Sequence, residues 1–137
     1  MAYEQEILLT PLKTILIVED DNSNAEVFET ILVSETPYCT LVMGSGLEVL
    51  QRIEEIKTAR PVLFLFDYHL SDMTAFELYD QLHAIEELKN IPTLITSASH
   101  SGPITYEIAK RGLTLIEKPF EVDTLIITIK QILDSPS

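Results

Sequence analysis

Short runs of consecutive apolar residues alternate along this chain with segments whose apolar residues recur every three or four positions. Lys13 to Val18 is the first such run, rich in β-branched residues and ending abruptly at Glu19-Asp20-Asp21. A strand apolar at every position has both faces covered, as inside a parallel sheet. Asn22 and Ser23 follow as helix-cap residues, with Asp21 a helix-start residue, and Val27, Phe28, Ile31 and Leu32 repeat at helical spacing until Pro37. Residues 38 to 43 predict a second strand, Gly44 and Gly46 a turn, and Leu47 to Lys57 a second helix with Leu47, Leu50, Ile53 and Ile56 facing inward. Val62 to Phe66 is the most apolar run of the sequence, a core strand that again ends on an acid, Asp67. A polar loop then leads to a third helix marked by Phe76, Leu78, Tyr79, Leu82 and Ile85. Thr93 to Thr96 predicts a fourth strand running into Ser97-Ala98-Ser99, and residues 103 to 110 a short fourth helix closed by Gly112. Leu113 to Ile116 is a fifth strand leading into Glu117-Lys118-Pro119, and Val122, Leu125, Ile126, Ile129, Ile132 and Leu133 line one side of a last helix.

Five strands alternating with five helices predict an α/β domain with a mostly parallel sheet and helices on both faces. Residues 13 to 133 form that domain, with 1 to 12 as an N-terminal extension and 134 to 137 as a tail. The whole chain has 137 residues, 46% of them apolar, enough for one packed core and no more. Nine Lys and Arg against 22 Asp and Glu give a net charge of −13. That balance argues against nucleic acid, which needs clustered cations, and against an anionic membrane surface. It suits a bound cation or a basic protein partner. Cys39 is the single cysteine and lies in an apolar run, so it reads as a small hydrophobe. No stretch approaches the roughly 20 apolar residues that span a bilayer, and Glu4 and Glu6 stand where a signal peptide would be positive. A soluble cytoplasmic protein is expected.

In an open parallel sheet, ligands bind beyond the carboxyl ends of the strands. The residues there are Glu19 and Asp20 after the first strand, Asp67 after the third, Ser97 after the fourth and Lys118 after the fifth. An acid after a strand is a common turn residue. Three carboxylates, a hydroxyl and an ammonium at one sheet edge are a different matter. Crowded carboxylates repel one another, and a hard divalent cation such as Mg²⁺ relieves that repulsion while keeping sites for waters and phosphate oxygens. A fixed ammonium and a hydroxyl would stabilise the oxygens of a transferring phosphoryl group. An aspartate ionised in that company can be the nucleophile.

The chain resembles the receiver domain of two-component response regulators over about residues 13 to 133. The matching stretches are Ile15-Leu16-Ile17-Val18-Glu19-Asp20-Asp21, Leu65-Phe66-Asp67, Ile91 to Ala98, and Glu117-Lys118-Pro119-Phe120. The resemblance implies a flavodoxin-like, doubly wound sheet of five strands in the order 2-1-3-4-5. It implies that Asp67 accepts a phosphoryl group from a sensor histidine kinase or a histidine phosphotransfer protein. Mg²⁺, or Mn²⁺ in its place, would be held by Glu19, Asp20, Asp67 and the backbone carbonyl of His69. Ser97 would bond the phosphoryl oxygen with Ala98 leaving room beside it. Lys118 would pair with the phosphate, and Pro119 would fix its loop, in this family usually through a cis bond. His69 and Ser99 occupy the two positions that tune how fast the aspartyl phosphate hydrolyses.

Two features depart from the family pattern. The loop after Asp67 carries Ser71 and Ala75 where a Pro and a Gly are usual, and Leu115 stands where an aromatic switch residue is usual. The expected function is a single-domain phosphoacceptor that signals through a downstream protein target and slowly hydrolyses its own phosphate, without being a turnover enzyme. The fourth helix, fifth strand and fifth helix would offer a face for a homodimer or target, including Tyr106, Lys110, Arg111, Leu115 and Ile127. Tyr106 and Phe120 read as packing residues, Tyr106 also as a partner contact, and His83 and His100 as exposed polar residues. The rivals are a phosphorylation-independent adaptor, a domain cut from a larger signalling protein, and a phosphatase. The last is disfavoured because its second carboxylate, two residues after the nucleophile, is here His69.

Overall fold

The computed structural model describes residues 13–98 and 101–134. Among these residues five parallel strands, β1 (Thr14–Val18), β2 (Cys39–Met43), β3 (Leu63–Asp67), β4 (Thr93–Ser97) and β5 (Thr114–Glu117), form one sheet in the order β2-β1-β3-β4-β5. This is the flavodoxin-like order expected. Register follows the apolar runs, with Ile15 opposite both Thr40 and Leu63, Phe66 opposite Ile95, and Ile95 opposite Leu115.

Consecutive apolar residues are needed because the pleat sends them to opposite faces. Ile15, Ile17, Leu63, Leu65, Leu94 and Ile116 pack with Phe28 and Leu32 of α1 (Asn22–Glu35) and Leu125, Ile126 and Ile129 of α6 (Val122–Asp134). Leu16, Val18, Phe64, Phe66 and Ile95 pack on the other face. There they meet Val49 of α2 (Gly46–Gln51), Ile56 of α3 (Ile53–Ala59), Leu78 and Leu82 of α4 (Ala75–His83), and Ile104 and Ile108 of α5 (Gly102–Arg111). The split of helices between faces follows from right-handed crossovers. The step from β1 to β2 runs one way across the sheet and every later step runs the other way. The reversal leaves a crevice where β1 and β3 meet, and Glu19, Asp20 and Asp67 stand at its carboxyl end.

The second helix is two helices. Arg52 leaves the helical region (φ −115°, ψ 30°), and its guanidinium pairs with Glu48 on one side and Glu55 on the other. The bend keeps Ile56 buried, but the inward position of the first piece falls to Val49, and Leu47 is 54% exposed. The reason lies outside the helix: the Asp72 carboxylate accepts from the N–H groups of Gly46 (3.1 Å) and Leu47 (2.7 Å), setting the angle of the first turn. Met73 presses on Gly46 so closely that a Cβ there would lie 2.3 Å from its sulfur.

Other inward assignments also change. Val27, Val122 and Tyr106 are exposed, because each lies at the edge of its helix's apolar stripe. Phe120 does pack, stacked on Phe28 with centroids 5.5 Å apart. The cap of α1 is Asp21, whose side chain accepts from the Asn24 N–H, rather than Asn22 or Ser23. Gly112 closes α5 in the left-handed conformation, as its sequence position predicts (φ 68°). Among the described residues no helix is long and apolar enough to cross a membrane.

Candidate functional site

Glu19 follows β1 directly and is 2% exposed. Its backbone N–H donates to Met43 O, which fixes the turn out of the strand. Its side chain accepts one hydrogen bond, from Asn24 Nδ2 to Oε1 at 3.1 Å, while Oε2 is buried with no hydrogen-bond partner among the described residues. Burial and the nearby Asp67 charge push its carboxyl up to about 7, against smaller opposing effects of Asn24 and Lys118.

Asp20 is exposed and Asp67 half-buried, and one carboxylate oxygen from each of Glu19, Asp20 and Asp67 lies within 4.8 Å of the others. Lys118, just after β5, joins the cluster with Nζ donating to Asp67 Oδ1 at 2.9 Å. Its loop is tied to β4 by the bond from Lys118 N to Ser97 O (2.8 Å), and the Lys118–Pro119 bond is cis, as the resemblance implied. Ser97 is fully buried at the end of β4, and Ala98 is exposed beside it. One ammonium therefore faces three carboxylates, and the most deeply buried of them has an oxygen left over. An uncompensated buried carboxylate oxygen is costly. A hard divalent cation fits this donor set, and these residues can hold one.

An apolar groove of about 430 Å³ borders the cluster, walled by Val27, Phe28 and Ile31 of α1 and by Phe120 and Val122, with Asn24, Ala98 and Lys118 also on its lining. Two larger clefts, about 590 and 830 Å³, lie at the opposite end of the sheet around Pro61, Glu87 and Ile91, and a third, about 610 Å³, runs along β5 and α6; none of them is lined by the clustered carboxylates.

A family model described as the response regulator receiver domain matches residues 15–130. The chain belongs to this receiver family. Among curated relatives, the polar-differentiation response regulator DivK of Brucella ovis is 33% identical over 122 residues, covering 88% of this chain and 96% of DivK. A CheY-like receiver domain protein from Methanospirillum hungatei superposes with a TM-score of 0.78 at 28% identity, over 90% of this chain and 94% of its own. Chemotaxis protein CheY4 of Vibrio cholerae shares the fold at 24% identity, with a TM-score of 0.79 over 89% of this chain and 99% of its own. Receivers are signalling proteins that work with histidine kinases or phosphotransfer proteins and with downstream targets, rather than turnover enzymes.

The receiver sites read from the sequence separate into those brought together and those set apart. Glu19, Asp20, Asp67 and Lys118 share one cluster. His69 opens the next loop, exposed, bridged to Thr74 and with its ring edge-on to Tyr68 at 4.7 Å. Ser99 and His100 lie outside the described residues. His83 is exposed and stacks on Tyr79. Leu115 is half-buried against the core on the α2–α5 face. Tyr106 and Ile127 are 65% and 55% exposed on the face of α5, β5 and α6. Arg111 of the expected partner face is already paired within the chain. It turns toward α4, where it pairs with Asp80 at 2.9 Å, bonds Glu107 and covers the Phe76 ring at 4.7 Å. Sequence reasoning missed Asn24 and Asp72. Both act through side chains aimed at another segment, which leaves no local pattern.

Proposed function

We propose that this receiver is a single-domain, Mg²⁺-dependent phosphoacceptor. Asp67 takes a phosphoryl group from a phosphohistidine on a sensor kinase or a phosphotransfer protein and signals through protein contacts in the cytoplasm. The observation that carries the reading is the surplus charge: Asp67 is held by Lys118 at 2.9 Å beside two further carboxylates, one of them buried with an unpartnered oxygen. An Asp67 carboxylate oxygen attacks phosphorus, the P–O bond forms as the P–N bond of the donor breaks, and the imidazole leaves with the bonding pair and gains a proton. Lys118 then follows the charge from the carboxylate to a phosphoryl oxygen, the Ser97 hydroxyl donates to another, and Ala98 leaves space for it. Bound Mg²⁺, held by Glu19, Asp20, Asp67 and the His69 carbonyl, supplies charge neutralisation for the phosphoryl oxygens. Mn²⁺ fits the same oxygen donors.

His69 and Ser99 set the phosphate lifetime in this reading. Exchanging both for other polar residues alters the half-life of the phosphoprotein; an unchanged half-life removes their role. Output through the α5–β5–α6 face, with Tyr106 and Ile127 exposed, suits a homodimer or a protein target. Leu115 favours a second reading, a phosphorylation-independent adaptor, because an aliphatic side chain cannot serve as the usual aromatic switch. Incubation with Mg²⁺ and a small phosphodonor separates the two. Wild type gains one phosphoryl group by intact mass and Asp67→Asn gains none; no gain by wild type leaves the adaptor.

A further inference from the structure

Asn24 belongs to none of the groups that the proposed reaction uses. It is the third residue of α1 and lies exposed at the helix start, with its backbone N–H donating to Asp21 Oδ1 at 2.9 Å. That bond caps the helix and leaves the side chain free for another purpose. The side chain turns to the sheet edge, where Nδ2 donates to Glu19 Oε1 at 3.1 Å. As a ligand to a cation Glu19 must be the carboxylate, which can only accept, so in that state the amide presents its NH₂ and not its carbonyl oxygen. One oxygen of a 98%-buried carboxylate is thereby committed, and the other, Oε2, has no partner among the described residues. Without the amide, the Glu19 side chain would be free to rotate about its last torsion, which is broad and roughly two-fold.

We propose that Asn24 is a positioning residue for the divalent cation: its amide fixes the Glu19 carboxylate by Oε1 and so keeps Oε2 available beside Asp20 and Asp67. The proposal rests on the cation-dependent reading above and adds to it a residue that touches neither the cation nor the phosphoryl group. Partners that orient metal ligands in this way are worth about 10- to 100-fold in metal affinity.

Mn²⁺ is the probe, with free ion counted by electron paramagnetic resonance on the unphosphorylated full chain. Wild type and Asp20→Asn come first: if wild type binds no better than Asp20→Asn, the cation reading itself falls. With that difference established, Asn24→Leu is expected to weaken Mn²⁺ about tenfold. Asn24→Gln keeps the donor and recovers most of the loss. In a Glu19→Ala background, where Asp20 and Asp67 remain, Asn24→Leu changes affinity by less than about twofold, because the amide acts only through Glu19. Wild-type affinity in Asn24→Leu overturns the proposal, as does a loss that persists without Glu19 or that Gln does not restore. Asn24→Leu also leaves a buried carboxylate oxygen without its donor, so its metal-free melting temperature is expected to fall by a few degrees and that of Asn24→Gln to stay near wild type; affinities are compared at a temperature where every variant is folded.

Discussion

Two cation–carboxylate pairs in this molecule have the same length and opposite characters. Lys118 meets Asp67 and Arg111 meets Asp80, each at 2.9 Å. Arg111 meets two carboxylates, but neither is buried and a second cation answers them: its guanidinium bonds Asp80 and Glu107 and rests on the Phe76 ring, Lys110 adds positive charge near Asp80, and Asp80 opens to solvent. The pairing holds the Asp80 carboxyl below its usual range and the Arg111 guanidinium above its own. Such a pair locks α5 against α4 and asks for nothing more. Lys118 is outnumbered, with Glu19 and Asp20 beside Asp67 and Glu19 pushed toward neutrality by burial. The lesson is that an ion pair marks function by the charge it leaves over, not by its bond length.

The largest test of that contrast is chemical. Asp67→Asn is expected to abolish phosphoryl uptake while Asp80→Asn leaves it at the wild-type rate; equal loss in both would make the two pairs alike. Next comes cation-linked stability. A ligand bound only by the folded state, at 100 times its dissociation constant, stabilises by about 2.7 kcal/mol. Mg²⁺ should therefore raise the urea midpoint of wild type and of Arg111→Met, and leave that of Asp67→Asn nearly unmoved. A shift in Asp67→Asn as large as in wild type would place the ion elsewhere.

The two sites also respond oppositely to pH. The Glu19 carboxyl is raised from 4.5 to about 7 on folding, so between these values the folded chain holds a proton that the unfolded chain has released. Its contribution is full below about pH 4.5 and is lost as pH rises toward 7, on the order of 2 kcal/mol once solvent screening is allowed for. The Asp80 carboxyl is lowered from 3.8, so its contribution is present above that value and is lost as pH falls. Denaturant titrations of metal-free protein should show stability declining from pH 4.5 to 7 in wild type and flat in Glu19→Gln. Identical slopes would mean Glu19 is not the group responsible. The smallest effect is on stability alone. Arg111→Met gives up its pairings with Asp80 and Glu107 and a cation–π contact, about 1–2 kcal/mol in all, with phosphoryl uptake unchanged.

Much of this was open to sequence reasoning for a physical reason. A strand buried on both faces is apolar at nearly every position, so β1 and β3 stand out, β4 shows as a shorter run between two buried threonines, and the polar residues that follow these runs and β5 fall at the ligand edge. Glu19, Asp20, Asp67, Ser97 and Lys118 were legible in that way. The bend at Arg52, the exposure of Leu47 and the burial of Val49 were not, because the turn before α2 is set by Asp72, 25 residues downstream. Arg111 read as a residue of the partner face because its own partner, Asp80, is 31 residues away. Asn24 was hidden differently. Its position reads as an ordinary first-turn residue, and only the fold shows that its amide faces a buried acid.

The Asp72 carboxylate has a consequence in the time domain. The amides of Gly46 and Leu47 sit at the first turn of a helix, where exposed N–H groups ordinarily exchange with solvent fastest. Here both are covered by a side chain from the loop that follows Asp67. Their exchange therefore reports the opening of that loop rather than the fraying of α2, and the two amides should slow or quicken together. Hydrogen exchange at this one corner becomes a clock for the segment next to Asp67, read from residues outside the carboxylate cluster.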